Sequence, residues 1–391
     1  MSPSPSPTGP HDFDANPPDA AETEAIMAGI STAVAGSEGL LPMQQALFEA
    51  LAPALTGYHV QLDAVPTMTA GELAKALERR SPAFRTRIVQ IMVLGALLRH
   101  PIPDDVASDL AGYARALGVE EGMIDVASDL AAGSADLAAR DFERNGYVGT
   151  WNEADSAAAT HSSNVLHQAW AFSESDAELA RRWAALELLP AESIGRKVWE
   201  MYQARGFSFP GAPGSAPPLL CQHDWVHVLA DYGTTVESEV EVFGLIARAN
   251  DDMHAFSLLA MVIALFETGD LARGAGLFEA SPGHFSKTPG MAVRLSDAMR
   301  RGALCHDHET GSDSIDFLKM DWLSIAHVPC VELRERFGVV PKSAEARDAG
   351  SVGPWEPGGI SPFQIESGKK RAADLGVPYE AHGASVAAPS S

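Results

Sequence analysis

Four side chains with the chemistry of a metal site occur close together in the middle of the chain. His223, Asp224 and His227 lie within five residues, and Glu239 follows His227 after eleven intervening residues. In a helix, His223 and His227 would be one turn apart on one face, with Asp224 about 100° round the axis. The turn-like stretch 231–235 would let an antiparallel helix return the carboxylate of Glu239 to the imidazoles. This set suits one divalent cation, such as zinc, manganese or iron(II).

The two histidines also have a simpler interpretation, in which they bind no metal. An HxxxH pair arises by chance in many helices, and a buried histidine is often bonded to a backbone carbonyl instead of a metal. The two carboxylates at suitable positions favour the metal interpretation. Asp224 could be a ligand itself, or it could hold an imidazole in place without touching the ion. We therefore predict a cation site formed by His223, Asp224, His227 and Glu239.

At these residues the chain resembles the Coq-four family of ubiquinone (coenzyme Q) biosynthesis, whose signature is HDxxH, eleven residues, then Glu. The stretch 188–196 is similar to the family's LP-x-G-S/T-LG-R motif, although Ala191 and Glu192 depart from it. The stretch 322–339 is similar to the family's closing L-x-x-L-R-x-x-LG-I helix. The resemblance covers about residues 180–342, which is under half of the chain.

The resemblance implies a helical domain in which the four predicted ligands hold one divalent metal ion (zinc, iron or manganese). It implies a role in quinone biosynthesis, with loss of the C1 carboxyl of a polyprenylated aromatic precursor coupled to hydroxylation there. The implied partners are a polyprenyl lipid or quinone precursor and other quinone-biosynthesis enzymes. The protein could also form a homo-oligomer and lie peripherally at the inner membrane. The resemblance assigns no catalytic residue beyond the ligands.

Two other functions use the same residues. The domain could be a non-catalytic isoprenoid-lipid-binding scaffold for biosynthetic enzymes, with a structural ion. The apolar stretch 255–266 would then be either a core helix or a wall of a lipid tunnel. The other is an HD-type metal phosphohydrolase, a class that also contains the His-Asp pair but needs a separate upstream His and a distant downstream Asp.

The sequence gives no support for several other enzyme classes. It contains no HExxH, GxSxG or P-loop motif, and no GxGxxG opening a helix after a strand.

Two further groups of histidines are weaker candidates for a metal site. Cys305, His306 and His308 could chelate zinc, but the polar residues around them are typical of an exposed loop. His161 and His167 are six residues apart, so they would lie on opposite faces of a helix. We interpret both groups as surface or packing residues.

The composition excludes several classes of partner. The chain has 391 residues, with 52 acidic and 28 basic side chains and a formal net charge of −24. Such an excess repels phosphate backbones and anionic headgroups, so we expect no nucleic acid partner, and any membrane contact would be apolar. Three dispersed cysteines and no secretory signal favour a cytoplasmic protein.

The pattern along the chain predicts an all-α protein. Residues 1–36 and 343–391 are rich in Pro, Gly, Ser or Ala and predict largely disordered tails, with one short helix near 362–375. Residues 37–149 predict a helical bundle that folds by itself, and its part 110–147 is similar to the tellurite-resistance TerB module. Residues 150–179 predict a connecting helix, and 180–342 the Coq-four-like metal-binding domain.

Overall fold

The computed structural model describes residues 17–134, 137–138, 146–147, 159–162, 175–268 and 283–387. The described residues are α-helical and contain no β-strand, so the predicted all-α class is confirmed. The helices are α1 (Ala20–Ala35), α2 (Pro42–Thr56), α3 (Ala70–Ala76), α4 (Pro82–Leu97), α5 (Asp104–Leu117), α6 (Met123–Ala131), α7 (Ala177–Ala184), α8 (Ile194–Arg205), α9 (Pro218–Ala230), α10 (Val236–Ala249), α11 (Phe256–Ile263), α12 (His284–Lys287), α13 (Met291–Ala303), α14 (Trp322–Ile325), α15 (Cys330–Arg336), α16 (Ala344–Asp348) and α17 (Pro362–Leu375).

The chain divides into two compact units, and each is built from separate stretches of sequence. The first unit comprises Met1–Thr150, Phe243–Leu304 and Lys342–Gly350. The second comprises Trp151–Val242, Cys305–Pro341 and Ser351–Ser391. The division therefore falls within α10. Our prediction of successive domains at 37–149 and 180–342 is wrong in this respect, because helices distant in sequence complete each core.

The core of the first unit depends on helices that follow the site in sequence. Helix α13 packs along α2, and α11 packs against α4. An added Cβ at Gly95 of α4 would lie 2.4 Å from the ring of Phe48 in α2, so α2 and α4 also pack tightly against each other. The apolar faces of α2 and α4 are thus covered in part by residues 243–304.

Helix α11 forms part of this core. The side chains of Phe256, Leu259 and Ile263 are buried. The cavity beside Ala260 and Met261 has a volume of about 10 Å³, which is enough for roughly one water molecule. Of the two interpretations of the apolar stretch, the core helix is the one that the described residues support.

Both predicted tails contain ordered helices, so the prediction of disorder is corrected there. Helix α1 begins after Asp19, whose side chain accepts a hydrogen bond from the Glu22 N–H at 2.9 Å. Its Ile26, Ile30 and Val34 are buried, because their spacing of four places them on one helix face. Residues 1–16 and 388–391 lie outside the described residues.

The C-terminal prediction is corrected in the same way. Helices α16 and α17 lie in the predicted tail, and the short helix expected near 362–375 is confirmed at Pro362–Leu375. Gly- and Pro-rich composition suggested a flexible tail, but Ile360 and Gln364 are buried. The segment is held by hydrogen bonds to distant residues, which composition cannot reveal.

The predicted connecting helix at 150–179 falls mostly outside the described residues, as does His167. His161 has a φ of 53°, which is not a helical conformation. Its Nε2 lies 2.7 Å from Asp321 Oδ1, and Arg182 donates to its Nδ1 at 3.0 Å. No helix in the described ranges is long and apolar enough to cross a membrane.

The shared core of the first unit generates a prediction about fragments. A fragment of residues 17–150 does not contain α11 and α13. It should therefore expose the apolar faces of α2 and α4. We expect it to bind a hydrophobic dye and to melt without a cooperative transition, unlike the full chain. Calorimetry and dye fluorescence would measure this. A cooperative, dye-free fragment would show that residues 17–150 form a sufficient core alone.

Candidate metal centre

Helix α9 carries three of the four predicted ligands. It begins with Pro218 at its first position, where the missing N–H and fixed φ of proline are favourable. It ends at Asp231, whose φ of 61° is the left-handed conformation that stops a helix. Gln222 donates to the carbonyl oxygens of Leu318 (3.1 Å) and Met320 (2.8 Å). These bonds fix the rotation of α9 within the second unit.

An aromatic cluster supports the opposite side of α9. The indole of Trp225 stacks on Trp322 with a ring separation of 5.7 Å and an interplanar angle of 2°. Trp183 contacts the edge of Trp225 at 5.3 Å and the ring of Tyr202 at 5.1 Å. Trp183, Trp225 and Trp322 are buried. Large rings packed in this way allow the helix little movement.

Helix α10 returns Glu239 to the imidazoles. The Nε2 of His223 lies 3.1 Å from Glu239 Oε2, and the Nε2 of His227 lies 3.3 Å from Glu239 Oε1. The carboxylate of Glu239 therefore lies between the two rings, whose centroids are 5.2 Å apart. Asp224 Oδ1 lies 3.6 Å from His223 Nε2. The structure thus brings together all four residues singled out in the sequence.

Backbone carbonyls determine which nitrogen of each imidazole faces the cluster. The Nδ1–H of His227 donates to the carbonyl oxygen of Gly233 at 2.6 Å, and that of His223 donates to the carbonyl of Leu220. A carbonyl can only accept, so Nδ1 carries the proton and Nε2 of the neutral ring has a lone pair. The Nε2 of His227 is buried and makes no hydrogen bond with any described residue. Nitrogens arranged in this way can bind a cation.

Tyr202 orients the remaining carboxylate. Its hydroxyl donates to Asp224 Oδ2, which leaves Oδ1 directed towards His223. The ring of Tyr202 is itself stacked on Phe209 at 5.6 Å. Neither Tyr202 nor Gly233 was predicted from the sequence, because no local spacing links them to the HDxxH motif.

Three of the four groups lie close enough together to share one cation, and Glu239 contacts two of them. One donor atom each from His223, Asp224 and His227 lies within 4.8 Å of the others. Metal–ligand bonds of about 2.0–2.2 Å at tetrahedral angles separate the ligand atoms by about 3.3–3.6 Å. The contacts of 3.1–3.6 Å between Nε2 atoms and carboxylate oxygens are close to that range.

Burial and charge shift the pKa values of the cluster. Burial lowers the pKa of His223, but the carboxylates of Asp224 and Glu239 outweigh it and raise that pKa to about 9. Burial alone would raise the pKa of Glu239, yet the two imidazoles hold it well below its usual range. Burial raises the pKa of Asp224, against the opposing effect of the imidazoles. The carboxylates of Asp224 and Glu239 therefore favour a positive charge at the centre of the cluster.

The other histidine cluster has a different geometry. The Nε2 atoms of His306 and His308 are 2.9 Å apart at the surface. Arg336 binds Asp307 through two contacts of 3.2 Å, so this carboxylate is already paired. Within the described ranges, the residues around Cys305 do not provide three donors close enough to share an ion. The second cluster therefore remains a surface histidine pair.

Comparisons with known proteins give little further information. No family model and no curated protein matches the chain. Among solved structures, a candidate ubiquinone biosynthesis protein from Nostoc punctiforme is similar at 17% sequence identity, over 66% of this chain and 97% of that chain. The TM-score is 0.29, and a likeness at that level carries no argument about this protein.

The raised pKa of His223 predicts how cation binding depends on pH. Without an ion, His223 is protonated below a pH of about 9, and coordination requires removal of that proton. The apparent affinity for zinc should therefore rise about tenfold per pH unit between about pH 6 and pH 8, with about one proton released per ion. Calorimetric titration in buffers of different ionisation enthalpy would count the protons. An affinity that is constant across this range would contradict protonation of His223.

Proposed function

We propose that the second unit binds one divalent cation through His223, Asp224, His227 and Glu239, and that the protein acts through this ion in quinone biosynthesis. The observation that carries the proposal is the pair of Nε2 atoms directed at the Glu239 carboxylate at 3.1 and 3.3 Å. The pathway comes from the Coq-four resemblance of residues 180–342. The implied substrate is a polyprenylated aromatic acid, and the implied reaction is C1 decarboxylation coupled to hydroxylation.

The donor set fits zinc, iron(II) or manganese(II). When bound, such an ion supplies Lewis-acid attraction for the carboxylate or ring oxygen of the precursor. The side chains of His223 and Asp224 are 11% and 13% exposed, whereas those of His227 and Glu239 are 0% and 6% exposed. The precursor would therefore approach from the His223–Asp224 side. Tyr202 restricts Asp224 to one inward oxygen, so Asp224 would take a single coordination position at the ion.

Two alternatives receive less support. A lipid scaffold with a tunnel at 255–266 would need space beside α11, where the cavity is about 10 Å³. An HD-type phosphohydrolase would need a further His and a distant Asp at the ion. Among the described residues, no third His and no second Asp joins the donor group of His223, Asp224 and His227.

Replacement of a buried ligand separates an enzyme from a scaffold. His227→Ala should abolish the bound metal, because it removes a fully buried donor at the centre of the cluster. In an enzyme, turnover of a carboxylated prenyl-phenol should disappear while binding of the prenyl lipid persists. With a structural ion, thermal stability and lipid binding should fall together. Elemental analysis, mass spectrometry of products and lipid binding would be measured on the same preparations.

The matched control is His308→Ala, which removes an exposed imidazole of the surface pair. It should leave metal content, turnover and lipid binding unchanged. Full metal occupancy in His227→Ala would end the claim that this residue is a ligand. Normal turnover in a metal-free protein would end the claim that the ion is needed.

A substitution in α11 tests the tunnel alternative separately. Ala260 is buried beside the small cavity. Ala260→Trp should overpack this core and lower the free energy of unfolding by about 1–3 kcal/mol or more. Chemical denaturation would measure the change. Loss of prenyl-lipid binding at wild-type stability would instead support a tunnel wall at this position.

A further inference from the structure

The turn between α9 and α10 controls how the predicted ligands meet. His227 lies near the end of α9 and Glu239 near the start of α10, so the turn 231–235 sets their separation. The carbonyl of Gly233 in this turn accepts the Nδ1–H of His227 at 2.6 Å. The backbone N–H of Tyr232 donates to the His227 carbonyl at 2.9 Å. A displaced turn would therefore change both the ring orientation of His227 and the position of Glu239.

The backbone of Ser351–Gln364, which we name the C-terminal clasp, binds this turn. The N–H of Gly233 donates to the carbonyl of Val352 at 2.9 Å, and the N–H of Thr234 donates to that of Gly359 at 3.0 Å. An added Cβ at Gly233 would lie 2.8 Å from the Cα of Gly359. The two backbones are thus in direct contact at a position where only glycine fits.

Two buried polar side chains strengthen the contact. Arg205, at the end of α8, donates from Nε to Thr234 Oγ1 and from Nη2 to the carbonyls of Pro354 (2.8 Å) and Gly359 (2.9 Å). Gln364 donates from Nε2 to the carbonyl of Thr234 at 2.7 Å and accepts from Thr234 Oγ1 at 2.9 Å. The side chains of Arg205, Gln364 and Thr234 are all buried. Because buried hydrogen bonds of this kind require definite geometry, they hold the turn in one conformation.

We propose that the C-terminal clasp is a positioning element of the cation site, acting on His227 through the Gly233 carbonyl. The inference rests on the proposed function, since it concerns the same site. The clasp supplies no ligand. It lies beyond residues 180–342, so the Coq-four resemblance does not cover it. A partner that orients a metal-binding imidazole contributes to metal affinity although it never touches the ion.

The test uses two substitutions on opposite sides of one hydrogen bond in the full-length chain. Gln364→Met keeps the length of the side chain and removes both bonds to Thr234. Thr234→Val keeps the shape and removes the hydroxyl that Arg205 and Gln364 bind. The control is Phe363→Ser, because Phe363 is the neighbour of Gln364 but is 56% exposed. Circular dichroism would verify that all variants remain folded.

Two measurements would be made on each variant. In the metal-free protein, the imidazole N–H signal of His227, assigned by its absence in His227→Gln, reports the bond to Gly233 by ¹⁵N NMR. Titration with cobalt(II) gives the affinity and the visible spectrum of the site. We expect Gln364→Met and Thr234→Val to weaken or shift the N–H signal and to lower cobalt affinity by about tenfold. Phe363→Ser should match the wild type in both.

The outcomes separate this inference from the proposed function. A wild-type protein that binds no cobalt would overturn the proposed function, and the N–H signal of the metal-free variants would still decide the role of the clasp. Wild-type signals and cobalt affinity in both substituted proteins would overturn the clasp. Equal losses in Phe363→Ser would also overturn it, because the effect would then not depend on the contacts with the turn.

Discussion

The carboxylate of Glu239 contacts both imidazoles, and the arrangement of the second unit depends on this contact. His223, His227 and Glu239 are buried here and Asp224 is 13% exposed, and burial of unpaired charge is costly. Glu239 offsets part of that cost through its contact of 3.1 Å with His223, the imidazole that the carboxylates keep protonated, while its other oxygen lies 3.3 Å from the Nε2 of His227. The contact requires the end of α9 and the start of α10 to meet across a short turn. The remaining features of the second unit can be understood as ways to maintain that geometry.

Three sets of contacts maintain it from different directions. The stacked indoles of Trp225 and Trp322 fix one side of α9. The side chain of Arg334 donates to the carbonyls of Val228 (3.0 Å) and Leu229 (2.7 Å), groups that have no partner within a helix at its C-terminal end. The hydroxyl of Tyr202 holds Asp224. Together these contacts leave the His223–Asp224 edge as the more exposed side of the cluster.

The proposed chemistry and this architecture are consistent with each other. An ion between two imidazoles and two carboxylates would replace the proton that the cluster otherwise holds on His223, and it would keep the charge of the site balanced. Under the proposed function, a carboxylate-bearing precursor would approach the ion beside Asp224, whose side chain is 13% exposed. The surface pair His306 and His308 has no such balance of charge, since the neighbouring Asp307 is bound by Arg336.

The sequence by itself determined the helical class, the turn after α9 and the four residues that converge, because helix periodicity and i, i+4 spacing are local properties. It did not determine the two-unit division, in which α13 covers α2, or the order of the C-terminal segment. It also gave no sign that Gly233, Tyr202 and Arg205 act near the ligands. These features depend on hydrogen bonds and packing between residues far apart in sequence, such as Thr234 and Gln364. Only the tertiary structure brings such residues together, since neither composition nor spacing encodes which distant surfaces meet.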